Sequence, residues 1–194
     1  MQLRSDMAQL EALRTLDESK LFNFASYLKD QKGQKLVYVF YQREFTPTLD
    51  KKTQAAYEND PALKQLSQDV SEVYKRITDI AIDRLKKAYA DSSITINFLY
   101  LTTVPTDIAR SQMEERSWDV YQSFSEMAKA TGGLISSSSN TLSLMKNASS
   151  ASENYYLLYY SPKDKMANGK FREIKVKVKT GGYRVTHLAG YFAK

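Results

Sequence analysis

Few residues in this chain could do chemistry. The single histidine, His187, lies in an alternating stretch, Tyr183 to Leu188, with no carboxylate or second histidine near it in sequence. It therefore reads as a satisfied structural histidine rather than as part of a triad. Cysteine is absent, which removes thiolate nucleophiles, zinc–thiolate sites and disulfides. Thr131-Gly132-Gly133 and Ser136 to Asn140 look like a phosphate-cradling loop only superficially. There is no Gly-x-x-x-x-Gly-Lys, and Gly132 reads better as a helix C-cap. Lys175, Lys177 and Lys179, with Lys170 and Arg172, could meet an anionic surface, but a solvated strand face that resists edge pairing explains them better. Gln42, Arg43 and Glu44 follow an apolar run, where α/β sheets present ligand groups, and Arg43-Glu44 is the most interesting polar pair. No nucleophile–base pair, carboxylate dyad, metal-ligand set or cofactor motif can be named, so the sequence reads as non-enzymatic and without a cofactor.

The element that must position Gln42 to Glu44 is the run Leu36 to Tyr41, apolar and rich in β-branched and aromatic residues. Gly33 precedes it and Thr46-Pro47 ends it, so it reads as a strand buried on both faces, near the middle of a sheet with helices above and below. Leu3 to Arg14 and Thr15 to Asp30 have helical spacing, the second with a capping-box pattern, Thr15-x-x-Glu18, and Gly33 as its C-cap. Thr46 to Asn59 reads as a loop with a short helical turn. Asp60-Pro61 starts a long amphipathic helix, Ala62 to Ala90. Ile94 to Leu101 is a second strand. A helix from Glu114 to Ala130 takes Trp118, Tyr121, Phe124, Met127 and Ala128 as core residues. Leu134 to Ser136 is a third strand, and Asn140 caps a brief helix through Ala148. The three strands should be parallel neighbours in chain order, because the long crossover favours that pairing.

After Ser152 the pattern changes. Tyr155 to Tyr160 reads as an aromatic strand whose rings are buried by cross-strand packing. Phe171 to Lys179 alternates strictly and reads as an antiparallel strand with one wet face. Gly181-Gly182 turns it back into Tyr183 to Leu188. The division is thus 1–152, an α/β domain, and 153–194, a β-meander packed on it. The 194 residues can bury a sizeable core, and a net charge of +6 suits solubility as well as it suits an anionic partner. No apolar run is long enough to span a membrane, and the first residues, Met1-Gln-Leu-Arg-Ser-Asp6, do not form a signal peptide.

Five stretches, in order, resemble the von Willebrand factor type A-related family of acidobacterial proteins. They are Leu28 to Phe40 with Gly33-Gln34-Lys35, Phe124 to Gly133, Tyr155 to Pro162, Asn168 to Val178, and Gly190 to Ala193. The resemblance implies a Rossmann-like parallel sheet flanked by helices, here partial, with a C-terminal antiparallel β extension. It also implies an extracytoplasmic protein, secreted or periplasmic, that acts as an adhesion-type module. Such domains hold a divalent cation through Asp-x-Ser-x-Ser after the first strand, and no such pattern occurs here. Asp91-Ser92-Ser93 precedes a strand and lacks the spacing, and Arg43 would put the wrong charge beside a cation. The family's first three strands have no counterpart before Leu3. Either an upstream segment supplies them, and with them a metal site, or this is a degenerate member without them. The first alternative is favoured, because a bare edge on Leu36 to Tyr41 invites pairing with another chain. The expected partner is therefore a protein or that upstream segment, with no nucleic acid and no membrane span.

Overall fold

The computed structural model describes residues 5, 9, 15–65, 68, 80–153, 155–162, 167–183 and 185–193. It forms two compact units whose segments interleave. One comprises residues 1–17, 43–80 and 104–119, and the other residues 18–42, 81–103 and 120–194.

The second unit is a parallel sheet with helices against it. Its strands are β1 (Lys35–Gln42), β3 (Ile94–Leu101) and β5 (Ile135–Ser138), in the order β1-β3-β5. Both pairings are parallel, with Val39 opposite Phe98 and Leu99 opposite Ser136. The expected order and direction are thus present, but the centre is not where the sequence put it. β1 is a terminal strand among the described residues, with Leu36 38% and Phe40 49% exposed. β3 is the buried one, with Ile94, Ile96, Phe98 and Leu99 all essentially inaccessible. Three helices explain this, since α1 (Glu18–Lys29), α3 (Ile82–Asp91) and α5 (Thr141–Glu153) all pack on β3. Apolar composition alone does not distinguish a strand covered on both faces from one at the sheet margin.

Aromatic rings fill one side of β3. Phe98 stacks on Phe124 at 5.8 Å and meets Tyr121 edge-on at 5.6 Å, and Tyr100 meets Tyr121 at 4.8 Å. Tyr121 and Phe124 come from α4 (Trp118–Ala130), as do the buried Met127 and Ala128. Trp118, expected in the core, is 72% exposed, because it sits in the first turn of α4, ahead of the face that meets the sheet. Tyr89 of α3 is buried, and its hydroxyl donates to the Leu21 carbonyl at 2.9 Å, which pins α3 to α1.

The junction after α4 is the tightest part of this unit. Gly132 has φ +71°, and Gly133 N–H donates to Ala128 O at 2.9 Å, so the glycine pair ends the helix as its C-cap. The Thr131 hydroxyl donates back to Met127 O at 2.9 Å and accepts Ile96 N–H at 3.0 Å. Gly133 passes so close to β3 that an added Cβ would overlap the Ile96 carbonyl. Asn97, buried in β3, accepts Leu134 N–H through Oδ1 at 2.9 Å and so leads the chain into β5.

The C-terminal segment is antiparallel but shorter in strand than expected. β6 (Phe171–Glu173) pairs with β7 (Gly190–Phe192). One further bond, Ile174 N–H to Ala189 O at 2.8 Å, extends the ladder. Beyond Ile174 the strand assignment stops, although burial still alternates, with Ile174 and Val176 half-buried and Lys175 and Lys177 exposed. Tyr155 to Tyr160 belongs to no strand and is exposed along its whole length, against the expected buried packing. Ala189 N–H reaches Ala130 O at 2.7 Å, and Thr131 bridges Leu188. Phe192 N–H donates to Asp91 Oδ1 at 2.9 Å, and the other oxygen of Asp91 pairs with Lys29.

The first unit contains a β-ribbon that the sequence concealed. β2 (Phe45–Leu49) pairs antiparallel with β4 (Ser111–Glu115), Pro47 opposite Met113, and α2 (Lys51–Glu58) follows β2. The expected loop over Thr46 to Asn59 is therefore strand and helix, and the expected helix start at Glu114 is strand. Pro47 suggested a break, but a two-stranded ribbon leaves an outer edge where a missing N–H costs little. Asp60 caps a helical turn over 61–65 as expected, with Ala62 N–H on Oδ1 at 2.9 Å.

The single long helix from Ala62 to Ala90 is not present. Ile80 and Ala81 are not helical, and α3 begins only at Ile82. The Glu18 carboxylate accepts Ala81 N–H at 3.1 Å, so it serves this start rather than a capping box of its own helix. Helix α1 ends at Lys29, and Gly33, at φ +88°, shapes the turn into β1 rather than the cap itself. Helix α5, expected to be brief, runs to Glu153. Most of Leu3 to Arg14, and residues 66–67 and 69–79 of the long helix, lie outside the described residues.

Two outcomes follow from this packing. Gly133→Ala should lower unfolding stability by about 3 kcal/mol in urea titration, since backbone must move to admit the methyl group; an effect within experimental error would contradict the close approach. Burial pushes the Tyr89 phenol from 10.0 up to about 12. The folded state thus holds this proton longer than the unfolded chain does. The resulting stability is complete below pH 10 and drains as pH rises toward 12. The stability advantage of wild type over Tyr89→Phe should shrink across that window in paired denaturant titrations.

Candidate functional site

Three places collect the residues that could act on a partner. The first is the end of β1. Gln42 is its exposed last residue and belongs to the sheet unit, whereas Arg43 and Glu44 open the ribbon unit. Within that ribbon the Arg43 guanidinium pairs with Glu115 and lies 4.8 Å from the Phe45 ring centroid. Glu44 is held through its backbone, its N–H on Ser117 Oγ at 2.7 Å and its carbonyl accepting Arg116 N–H at 2.9 Å. Ser117 is fully buried. These contacts register β2 against β4. They also test the cation implied by the family resemblance. A hard cation needs converging carboxylate and hydroxyl oxygens, and here an arginine already occupies the local carboxylate. The donor set does not fit a divalent ion.

The second is an open cleft of about 720 Å³ in the sheet unit, between α3, α4 and the C-terminal segment. Its apolar floor includes Ala130, Ile135 and Ile174. Its charged rim is internally matched: Lys86 pairs with Asp83 at 2.8 Å and lies 3.7 Å from Glu126, which pairs with Lys129 at 2.7 Å. The Lys86 hydrogen bond lowers the Asp83 carboxyl below its ordinary value, and Lys129 does the same for Glu126. His187 is also at this cleft. Its Nδ1 donates to Leu188 O at 2.8 Å, and its Nε2 accepts Val176 N–H at 3.5 Å. Both ring nitrogens are thus engaged in holding the returning segment. Among the described residues no three His, Cys, Asp or Glu side chains converge as a metal site would require.

The third is Tyr155-Tyr156-Leu157-Leu158-Tyr159-Tyr160, which follows α5. Tyr156 is 95% and Tyr159 87% exposed, and both leucines are about two-thirds exposed. Its end is tied to the unit. The Tyr160 ring meets Tyr191 of β7 edge-on at 6.3 Å, and a hydrogen bond to Tyr191 raises the Tyr160 phenol above its ordinary value. Six uncharged β-formers in a row normally signal burial, which is why the sequence alone placed them inside. Their lack of charge was the available signal, but it indicates a need for a partner without saying whether that partner lies in the same fold. The lysine row lies in solvent at Lys175, Lys177 and Lys179, as a wet face requires.

Millimolar Mg²⁺ or Ca²⁺ should leave the melting temperature where matched ionic strength leaves it; a specific rise of several degrees would show an oxygen-ligand site that the ribbon geometry does not provide. Among the described residues no helix is long and apolar enough to cross a membrane. No protein-family model, curated protein or solved structure matches the chain.

Proposed function

We propose that this chain is a non-catalytic protein-interaction module of von Willebrand A-related type. In this reading the partial parallel sheet is the scaffold and the contact element is Tyr155 to Tyr160. One observation carries it: six consecutive tyrosines and leucines stand in solvent immediately after a helix packed on that sheet. An isolated exposed apolar residue is ordinary, but a contiguous run this long marks an interaction surface. Tyrosine also suits such a surface, because it adds large contact area with few rotatable bonds. The chemistry elsewhere agrees with binding rather than turnover, since the cleft charges neutralise one another and His187 is occupied on both nitrogens. The terminal position of β1 is a second place where a partner, or an upstream segment of the same polypeptide, can extend the sheet. An extracytoplasmic location belongs to the same reading and rests on the family resemblance.

Hydrogen exchange tests the contact element. In dilute purified protein the amides of 155–159 should exchange at nearly intrinsic rates, while those of β3 stay protected. In extract of the source cells the run should gain at least tenfold protection. If 155–159 exchange freely in both, the run is not a contact element and the proposal fails.

A further inference from the structure

We infer that the arm from Lys175 to Leu188 docks on the surface of an anionic lipid bilayer, through its lysine row and the apolar tip formed by Val178 and Tyr183. The inference goes beyond the protein-interaction reading and uses none of Tyr155 to Tyr160.

The arm continues the β6–β7 hairpin. Phe171 pairs with Phe192, Arg172 with Tyr191 and Glu173 with Gly190. Carried on, that register puts Val176 opposite His187, Val178 opposite Val185 and Thr180 opposite Tyr183, with Gly181-Gly182 as the turn. Opposite residues share a face and successive residues alternate. One side of the arm is therefore Ile174, Val176, Val178, Tyr183 and Val185, and the other carries Lys175, Lys177 and Lys179. The base of the arm keeps this register. Ile174 N–H reaches Ala189 O at 2.8 Å, and Val176 N–H lies 3.5 Å from the His187 ring nitrogen. Beyond Val176 no backbone bond joins the two sides among the described residues. The turn gives a reason. The turns that zip a hairpin need a positive φ at the first central residue, whereas here Gly182, the second, has it at +91°.

Base and tip differ in what lies beneath them. Ile174, Val185 and His187 line the cleft, but Val178 and Tyr183 do not, and they are 51% and 72% exposed. The lysines are equally uncovered. A row that only guards a strand edge needs a strand there, and the ladder ends before Lys175. Lys86 and Lys129 on the cleft rim pair with carboxylates, whereas among the described residues Lys175, Lys177 and Lys179 pair with none. No acidic residue follows Glu173 in the sequence.

The two features together select the partner. A free polyanion would take the lysines and leave Val178 and Tyr183 in water. A bilayer surface takes both. The apolar side sinks to the boundary between headgroups and acyl chains, tyrosine settles at that level, and the lysines on the other side stay among the phosphates. Each lysine at such a surface raises partition about fivefold, so three supply about a hundredfold.

The test uses the full chain and vesicles of equal parts phosphatidylglycerol and phosphatidylcholine. At low ionic strength the chain should co-sediment with them roughly tenfold or more better than with phosphatidylcholine alone, and salt should weaken the binding. Lys175→Gln, Lys177→Gln and Lys179→Gln together should cut binding about a hundredfold. Lys51→Gln, Lys52→Gln and Lys64→Gln together remove the same charge from exposed positions elsewhere and should cost no more than about fivefold. Val178→Ser with Tyr183→Ser keeps the charge and should cut binding roughly tenfold. These variants should melt within a few degrees of wild type, since the altered residues are exposed. Tyr156→Ser with Tyr159→Ser should bind vesicles as wild type does. Equal binding to both kinds of vesicle overturns the inference, as does equal loss in the two lysine variants. If the lysine variant of the arm loses binding and its serine variant keeps it, the arm is a polyanion site and the bilayer is excluded. If the Tyr156 and Tyr159 variant alone loses binding, the bilayer belongs to that run and the inference fails.

Discussion

The Thr131 hydroxyl is the point on which the sheet unit depends. It is buried, it donates to the last turn of α4, and it accepts the backbone N–H of Ile96 in β3. One side-chain oxygen thus satisfies a strand amide that would otherwise be buried without a partner, and it fixes the helix end against the central strand at the same time. The two glycines that follow exist for the same junction. Gly132 takes the left-handed conformation that ends the helix, and Gly133 lets β5 start in contact with β3. The C-terminal segment then closes over this corner through Ala130, Thr131 and Leu188. Any side chain larger than hydrogen at position 132 would meet the backbone of His187. The corner and the returning segment are therefore a single packing problem.

This arrangement accounts for the polar residues that first suggested chemistry. His187 is near neighbours with carboxylates and lysines around the cleft, yet its nitrogens are consumed by Leu188 and Val176. Arg43 and Glu44 occur at the end of a strand, yet Glu115 and Ser117 absorb them into the ribbon. In both cases the local hydrogen bonds are sufficient reason for the residue type. The run after α5 differs because among the described residues no element covers it along its length.

Period and punctuation made much of the fold legible. Alternating strands and helices gave three parallel strands in chain order, and Asp60, Asn140 and Gly132 each cap a helix as their residue types suggest. What the sequence obscured has common physical causes. Pro47 broke the pattern of a strand that needs no donor on its outer edge, and the ribbon partner is distant in sequence, with Gln112 opposite Thr48 across 64 residues. Ile80 and Ala81 keep the apolar stripe running although neither is helical, and the start of the next helix at Ile82 is met by Glu18 from another helix. Burial was read from apolarity, which succeeded for β3, overstated β1 and failed at Tyr155 to Tyr160. Whether an apolar residue is covered depends on which elements arrive beside it, and that is settled by topology.

The Asp91 carboxylate has a kinetic meaning as well as a structural one. Its bond to Phe192 spans 101 positions of chain, and its ion pair with Lys29 spans 62. Closing loops of that size costs entropy before any contact repays it, and slow folding goes with such non-local pairing. The sheet unit is also assembled from three separate stretches of chain. The α4–β5 corner forms from residues that are neighbours in sequence, but the C-terminal segment that seals it is anchored through Phe192 to a distant Asp91. The seal therefore needs Phe192, 101 positions after the carboxylate it binds. Until Phe192 is in place Asp91 lacks that bond, and the apolar residues of α4 and β5 that meet the C-terminal segment stay open to other contacts.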